Sequence, residues 1–107
     1  MIYVIADDLT GANDTGVQFT KKGYNSRVSI FDKSAAQNIP ESLDVFVMDT
    51  ETRELKSKIA REKLRSILKK LNINKNDMIY KKVDSTLRGN VGDEIEEIKD
   101  FFKKVKI

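Results

Sequence analysis

The order of structural elements is clearest in the stretch MIYKKVDSTLRGNV, residues 78–91. Its first residues have the apolar, strand-forming character of a buried β-strand, and its last residue begins an apolar pattern at helical spacing. Lys82, Asp84, Ser85 and Arg88 crowd the turn between the two. Open α/β sheets bind ligands at such turns, beyond the carboxyl ends of their strands. The side chains favour an anionic ligand that carries hydroxyl groups, since lysine and arginine supply positive charge while aspartate and serine bind hydroxyls.

The rest of the chain repeats this alternation of strand and helix. Strands are predicted at 2–6, 26–31, 43–48 and 78–83, helices at about 12–22, 55–71 and 91–105, and a connector with room for one helical turn at 32–42. Thr10 is the predicted N-cap of the first helix and Gly23 its stop signal. We therefore predict an α/β fold, in which a mainly parallel sheet carries helices on both faces, as in a partial doubly wound, Rossmann-like three-layer domain.

Composition limits the chemistry that the chain can perform. The 107 residues suffice for a single domain. Cysteine and histidine are absent from the sequence, which excludes disulfides and thiolate or imidazole metal ligands and leaves proton transfer to carboxylates or lysine. No metal site is predicted. The net charge of +3 comes from 20 basic and 17 acidic residues, a balance that does not favour nucleic-acid binding. We find no apolar run long enough to span a membrane and predict a cytoplasmic protein.

Three polar clusters follow three of the predicted strands. Asp7 and Asp8 follow the first strand, DTETR (49–53) the third, and the segment 82–88 the fourth. Because the carboxyl ends of parallel strands lie along one edge of a sheet, we expect the clusters to converge on one binding site. Structural roles are the alternatives. Asp7 could cap the first helix, Asp49 and Thr50 could cap the second, and Arg88 could serve only as an ion-pair partner of Asp84 or Asp49.

Two other site types share part of this pattern. The segment GANDTG (11–16) has P-loop glycine spacing, but it lacks the lysine that must follow, so its glycines are interpreted as tight turns or close helix packing. In a phospho-acceptor receiver domain, Asp7 and Asp8 would hold magnesium, Asp49 would be phosphorylated and Lys82 would contact the phosphoryl group. Against this alternative, one strand–helix unit is missing between Asp49 and Lys82, and Val83 stands where a receiver has proline.

Three motifs together resemble the four-carbon acid sugar kinases, which include the tetronate and 3-oxo-tetronate kinases. They are ADDLTGANDTG (6–16), DTETR (49–53) and YKKVDSTLRGN (80–90), in the order and spacing of that family. The resemblance implies an enzyme that phosphorylates a hydroxyl of a small sugar acid with ATP. Family members are much longer, so residues 1–107 correspond to the first part of the N-terminal sugar-acid-binding domain. On this interpretation the chain is a truncated single domain whose C-terminal ATP-binding domain, with most of the ATP and Mg²⁺ site, is absent.

The resemblance also assigns roles to individual residues. Substrate-binding roles fall on Asp7, Asp8, Arg53, Lys82, Val83, Asp84, Ser85 and Arg88. Arg53 would pair with the substrate carboxylate, and either Asp8 or Asp84 would act as the catalytic carboxylate that orients or deprotonates the attacking hydroxyl. Lys81 is left out, because strand alternation directs it to the opposite face from Lys82.

Several properties of the complete protein are left open at this stage. The rest of the enzyme could be supplied by a separately encoded partner, or the chain could be a non-catalytic structural subunit. An unpaired edge strand would favour homo-oligomers. The chain alone is expected to bind sugar acids weakly and not to transfer phosphate.

Overall fold

The structure is a computed structural model that describes residues 1–31 and 39–105. In chain order its elements are β1 (Ile2–Ala6), α1 (Leu9–Lys21), β2 (Ser26–Ile30), β3 (Val45–Asp49), α2 (Ser57–Lys70), β4 (Met78–Lys82) and α3 (Val91–Val105). The predicted alternation is confirmed. Most of the predicted connector 32–42, including the segment that could hold a helical turn, lies outside the described residues.

The described strands form one parallel sheet in the order β2-β3-β1-β4. β1 is central, with Ile2 opposite both Val45 of β3 and Met78 of β4. The chain first leaves β1 towards β2 and later crosses to β4 on the other side. This change of direction at β1 is the topological switch point at which open α/β sheets bind their ligands.

Side chains that alternate along the strands form two separate cores. On one face, Val4, Val45 and Val47 pack against Ala12 of α1. On the other face, buried residues of β1 and β3 pack against the apolar sides of α2 and α3. The sheet therefore carries helices on both faces, as predicted. Gly16 allows α1 to approach closely, because a Cβ added there would lie 2.6 Å from Cγ2 of Val28.

Element boundaries differ from the sequence prediction at α1 and β3. The first helix begins at Leu9, and its N-cap is Asp8 rather than Thr10. Asp8 has extended backbone angles, and its Oδ1 accepts a hydrogen bond from the Gly11 amide at 2.9 Å. The third strand runs from Val45 to Asp49 instead of 43–48, since the Leu43 amide instead donates to the Pro40 carbonyl in a turn. None of the helices in the described residues is long and apolar enough to cross a membrane.

Candidate functional site

The carboxyl ends of β1 and β4 and the loop after β3 enclose a cavity of about 220 Å³. It is lined by Asp7, Asp8, Thr10, Gly11, Asp14, Arg53, Lys82, Val83, Asp84, Ser85 and Arg88. All the residues to which the sequence assigned a substrate-binding role are among them. The parallel sheet is the reason for this convergence, because it brings loops separated by many residues to one edge.

Arg53 joins the first two loops of the cavity through a nearly buried ion-pair cluster. Its Nε and Nη2 donate to Oδ1 of Asp7 at 3.2 and 3.0 Å, and its Nη1 donates to Oδ2 of Asp8 at 2.9 Å. The side chains of Arg53 and Asp7 are only 14% and 5% exposed. Of the five N–H groups of the guanidinium, three are thus engaged within the protein and two are left for a ligand.

Asp7 is fixed by its neighbours on two further sides. Its carbonyl accepts hydrogen bonds from the Thr52 and Arg53 amides at 3.1 and 3.2 Å. Gly89 lies against its side chain with a φ of +88°, and a Cβ there would be 2.4 Å from Oδ2 of Asp7. Asp7 therefore ties the loop after β3 to the loop after β4. The alternative role of Asp7 as a helix cap is wrong, since Asp8 is the cap.

Arg88 and Asp84 form a bidentate pair within the loop after β4. Nε and Nη2 of Arg88 donate to the two carboxylate oxygens at 2.8 and 3.1 Å, and Thr86 donates to Asp84 through its amide and its hydroxyl. The Arg88 guanidinium, followed by Thr86, lowers the pKa of Asp84 well below its usual range. The structural pairing of Arg88 with Asp84 is confirmed. Arg88 remains largely exposed, with 65% of its side chain accessible, so it can also contact a ligand.

The same loop contains two residues with left-handed backbone angles. Leu87 has a φ of +58° and Gly89 a φ of +88°. Leu87 is 63% exposed, and a non-glycine residue pays a conformational cost in this region. Such angles cluster at ligand-binding loops, where the surrounding structure imposes them.

Lys82 is the cation of the cavity lining that makes no ion pair within the described residues. Its Nζ donates to the Val83 carbonyl at 2.7 Å, which leaves two N–H groups for a ligand. Arg53 and Arg88, by contrast, are both neutralised by aspartates. Ser85 lies exposed at the rim.

Asp49 follows β3 but does not line the cavity. Its side chain is fully buried, Oδ1 accepts the Glu51 amide at 2.9 Å, and Oδ2 has no hydrogen-bond partner within the described residues. Burial is the main cause that raises the pKa of Asp49 to about 6. A phospho-acceptor must be accessible to its phosphodonor, so this geometry does not support the receiver alternative. The helix-cap alternative for Asp49 is also wrong, because α2 starts after Lys56 without a side-chain cap.

Sequence reasoning missed a buried polar network beneath the cavity. Oγ1 of Thr52 lies 2.7 Å from Oγ1 of Thr50 and donates to Oε1 of Glu94 at 3.1 Å. Nζ of Lys81 is 3.9 Å from the same carboxylate oxygen. Lys81 does point away from Lys82, as expected from strand alternation, but it reaches this network instead of solvent. The sequence did contain a sign of this network. Glu94 stands three residues after Val91 and so lies on the apolar side of α3, where a carboxylate needs a buried partner.

A larger cavity of about 590 Å³ adjoins the first between α1 and β4. It shares Asp14 and Lys82 with the smaller cavity, but Val17, Tyr24 and Tyr80 make its lining mainly apolar. We assign the functional site to the smaller cavity, because its charged and polar groups converge there from three loops.

The carboxylates do not fit a metal centre. Within residues 1–31 and 39–105, no three Asp or Glu side chains are arranged to hold a metal ion. The nearest candidates, Asp7 and Asp8, both accept hydrogen bonds from Arg53. One oxygen of each carboxylate is thus bonded to the Arg53 guanidinium, whose positive charge repels a metal cation.

Three kinds of comparison connect the chain with known proteins. Residues 2–106 match the family of the sugar-binding N-terminal domain. The chain is 42% identical to a D-threonate kinase of Salmonella typhimurium over 95 residues, covering 88% of this chain and 22% of the relative. It is 34% identical to a D-erythronate kinase of Heliobacterium modesticaldum over 99 residues, covering 92% of this chain and 23% of the relative.

A solved structure with the same fold supports the relationship. It is a protein of Bordetella bronchiseptica described as a domain of unknown function (DUF1537), crystallised as a domain-swapped dimer with bound citrate. The TM-score is 0.76 at 34% identity, and the match covers 90% of this chain and 24% of that one. The chain spans about a quarter of the length of these relatives. It belongs to the family of sugar-binding N-terminal domains found in the four-carbon acid sugar kinases.

Proposed function

We propose that this chain provides the sugar-acid-binding loops of an ATP-dependent kinase that phosphorylates threonate, erythronate or a related four-carbon acid. The observation that carries the proposal is the convergence of the three loops on one cavity that combines cations with hydroxyl-binding carboxylates. Its volume of about 220 Å³ is below the roughly 300–1,000 Å³ typical of drug-sized ligands, which suits a small substrate. The bound citrate of the Bordetella structure is also a hydroxylated carboxylic acid.

Lys82 is the principal ligand of the substrate carboxylate in this proposal. Within the described residues no aspartate pairs with Lys82, so its charge is available to the substrate. Arg53, in contrast, keeps only two free N–H groups after it binds Asp7 and Asp8. Arg53 therefore contributes a secondary contact and holds the loops together. Arg88 closes the site from its exposed side. Val83 and Ser85 form the remainder of the loop under the substrate.

We take Asp8 as the base, because it accepts one hydrogen bond from Arg53 whereas Arg88 binds both oxygens of Asp84. Arg88 stabilises the ionised form of Asp84, and a carboxylate with a lowered pKa is a weak proton acceptor. Asp84 then orients a substrate hydroxyl by accepting its hydrogen bond. Asp8 lies at the start of α1 with 26% of its side chain exposed, so the attacking hydroxyl can reach it.

ATP and Mg²⁺ enter the proposal through the rest of a complete kinase, since the described carboxylates form no metal site. When bound, they supply the phosphoryl group and neutralise its charge. Additional sequence of the same polypeptide or a separately encoded partner provides that part. The proposal includes a cytoplasmic location, where ATP is available, and a homo-oligomer, as in the domain-swapped Bordetella dimer. We expect no phosphate transfer by the 107-residue chain alone.

Titration of the ¹⁵N-labelled chain with D-threonate and D-erythronate tests substrate binding. We expect saturable amide shifts at millimolar ligand that cluster at residues 7–8, 53 and 82–88, and their loss in Lys82→Gln. Lys69→Gln removes an exposed lysine from α2 and is the matched control. Shifts that lie elsewhere, or that persist unchanged in Lys82→Gln, would contradict the proposal.

A further inference from the structure

Buried polar contacts join α3 to the loop after β3 and to the end of β4, two segments that contribute residues to the cavity. The carboxylate of Glu94 receives a hydrogen bond from Thr52, which lies in the loop after β3, and faces the ammonium group of Lys81 at the end of β4. Glu94 and Thr52 are fully shielded from solvent, and the side chain of Lys81 is 9% exposed. Glu94 thus contacts the hydroxyl of Thr52 and the ammonium group of Lys81 with one carboxylate oxygen.

A carboxylate is a costly choice at this position. Oε2 of Glu94 is buried and finds no hydrogen-bond partner in the described part of the chain. Burial raises the pKa of Glu94, while Lys81 and Thr52 act in the opposite direction. An apolar side chain would remove this unsatisfied oxygen, but it would leave Lys81 without its buried counter-charge and Thr52 without its acceptor. The glutamate is therefore tied to Lys81 and Thr52 rather than to the apolar packing of α3.

The partners of Glu94 immediately precede the two cations assigned to the substrate carboxylate. Thr52 precedes Arg53, and the amides of both residues donate to the Asp7 carbonyl. Lys81 precedes Lys82, and its Nζ donates to the Lys82 carbonyl at 3.0 Å. A displacement of either partner moves the backbone from which the adjacent cation projects.

We propose that Glu94 is a positioning residue, which sets the spacing between Arg53 and Lys82 by holding Thr52 and Lys81 against one carboxylate. The proposal rests on the assignment of the cavity to a sugar acid. In this proposal two segments that are far apart in the sequence, the loop after β3 and the end of β4, are held by one buried carboxylate. Without the Glu94 carboxylate, the distance between Arg53 and Lys82 is no longer fixed. This loss of fixed geometry lowers the affinity for a planar carboxylate.

The test compares Glu94→Gln with Glu96→Gln, the same change two residues away on α3, where the side chain is 63% exposed. The readout is solvent exchange of the Arg53 Nε proton, measured by NMR, because this proton is hydrogen-bonded to Asp7. We expect exchange to accelerate about tenfold in Glu94→Gln and the dissociation constant for D-threonate to rise by about tenfold. Glu96→Gln should change neither. Thr52→Val removes the hydroxyl that reaches Glu94 and should reproduce both effects.

The outcomes separate this proposal from the proposed function. Unchanged Arg53 exchange in folded Glu94→Gln and Thr52→Val overturns the positioning role, even if threonate binds the unmodified chain. Accelerated exchange in both variants supports the role, even if threonate binds none of the proteins and the proposed function fails. If Glu94→Gln does not fold, Thr52→Val decides alone.

Discussion

Arg53 donates two hydrogen bonds to a single oxygen of Asp7, from Nε at 3.2 Å and from Nη2 at 3.0 Å. The contact spans 46 positions of sequence and joins the loop after β3 to the end of β1. The side chain of Asp7 is almost fully buried, and Arg53 is the cation that pairs with it there. The arginine that the sequence assigned to the substrate is therefore also a structural residue.

Replacement of Arg53 should destabilise the fold as well as the site. We expect Arg53→Gln to lower the free energy of unfolding by about 3 kcal/mol, because it leaves the buried carboxylate of Asp7 without its cation. Chemical denaturation measures the change. Arg65→Gln is the matched control and should cost much less, since Arg65 is half-exposed and its partner Glu97 keeps Arg61. Equal losses in the two variants would contradict this role of Arg53.

Two glycines three residues apart should respond in opposite ways to alanine. Gly89→Ala places a Cβ against Asp7 at a φ of +88°, so we expect a loss of about 2 kcal/mol or more. Gly92 lies in α3 with open space around the added Cβ, and Gly92→Ala should stabilise by about 0.5–1 kcal/mol. Thermal unfolding of both variants provides the comparison. A tolerated alanine at position 89 would mean that the loop does not pack against Asp7 as described.

Asp49 should make the protein less stable as the pH rises. Its pKa of about 6 in the fold exceeds the ordinary value of 3.8, so the folded state holds a proton that the unfolded state has lost between about pH 4 and 6. Stability from this group is complete below pH 4 and is lost as the pH rises through 6. We expect the difference in unfolding free energy between Asp49→Asn and the unmodified chain to change by about 1–3 kcal/mol between pH 4 and 7, in favour of the variant at pH 7.

The difference between Asp49→Asn and the unmodified chain cancels the contributions of their other acidic residues to the pH dependence of stability. Glu62→Gln removes an exposed carboxylate from α2 and controls for the loss of one negative charge. A pH-independent difference between Asp49→Asn and the unmodified chain would show that folding does not raise the pKa of Asp49.

Asp84 should titrate below the usual range of aspartates for as long as Arg88 is present. A lowered pKa means that the pair stabilises the loop above about pH 4 and loses this effect as the pH falls. We expect Arg88→Gln to move the midpoint of Asp84 up towards about 4, the ordinary value. The ¹³C shift of the carboxyl carbon reports the midpoint directly. An unchanged midpoint would indicate that Thr86 and the loop amides suffice to hold the charge.

The sequence predicted the architecture and, as one alternative, the pairing of Arg88 with Asp84, but not the ion pair between Arg53 and Asp7. Strand alternation and the polar residues after each strand are local signals, and they correctly brought Asp8, Arg53 and Lys82 to one edge. The ion pair between Arg53 and Asp7 depends on the register of β1 beside β3, which no local pattern specifies. Lys81 is a second case, in which the partner rather than the direction was missing from the sequence prediction. Its direction follows from alternation, whereas its partner Glu94 becomes apparent only when α3 packs on the sheet.

The central place of β1 has a consequence for synthesis on the ribosome. β1 precedes β3 and β4 in the sequence but lies between them in the sheet, and the Met1 amino group pairs at 3.0 Å with Asp77, 76 positions away. Both edges of β1 can therefore be covered only after β4 (Met78–Lys82) has been synthesised. Until then, the apolar side chains and unpaired backbone amides of β1 are exposed to other nascent chains. We therefore expect chaperones that bind nascent chains to assist folding during translation.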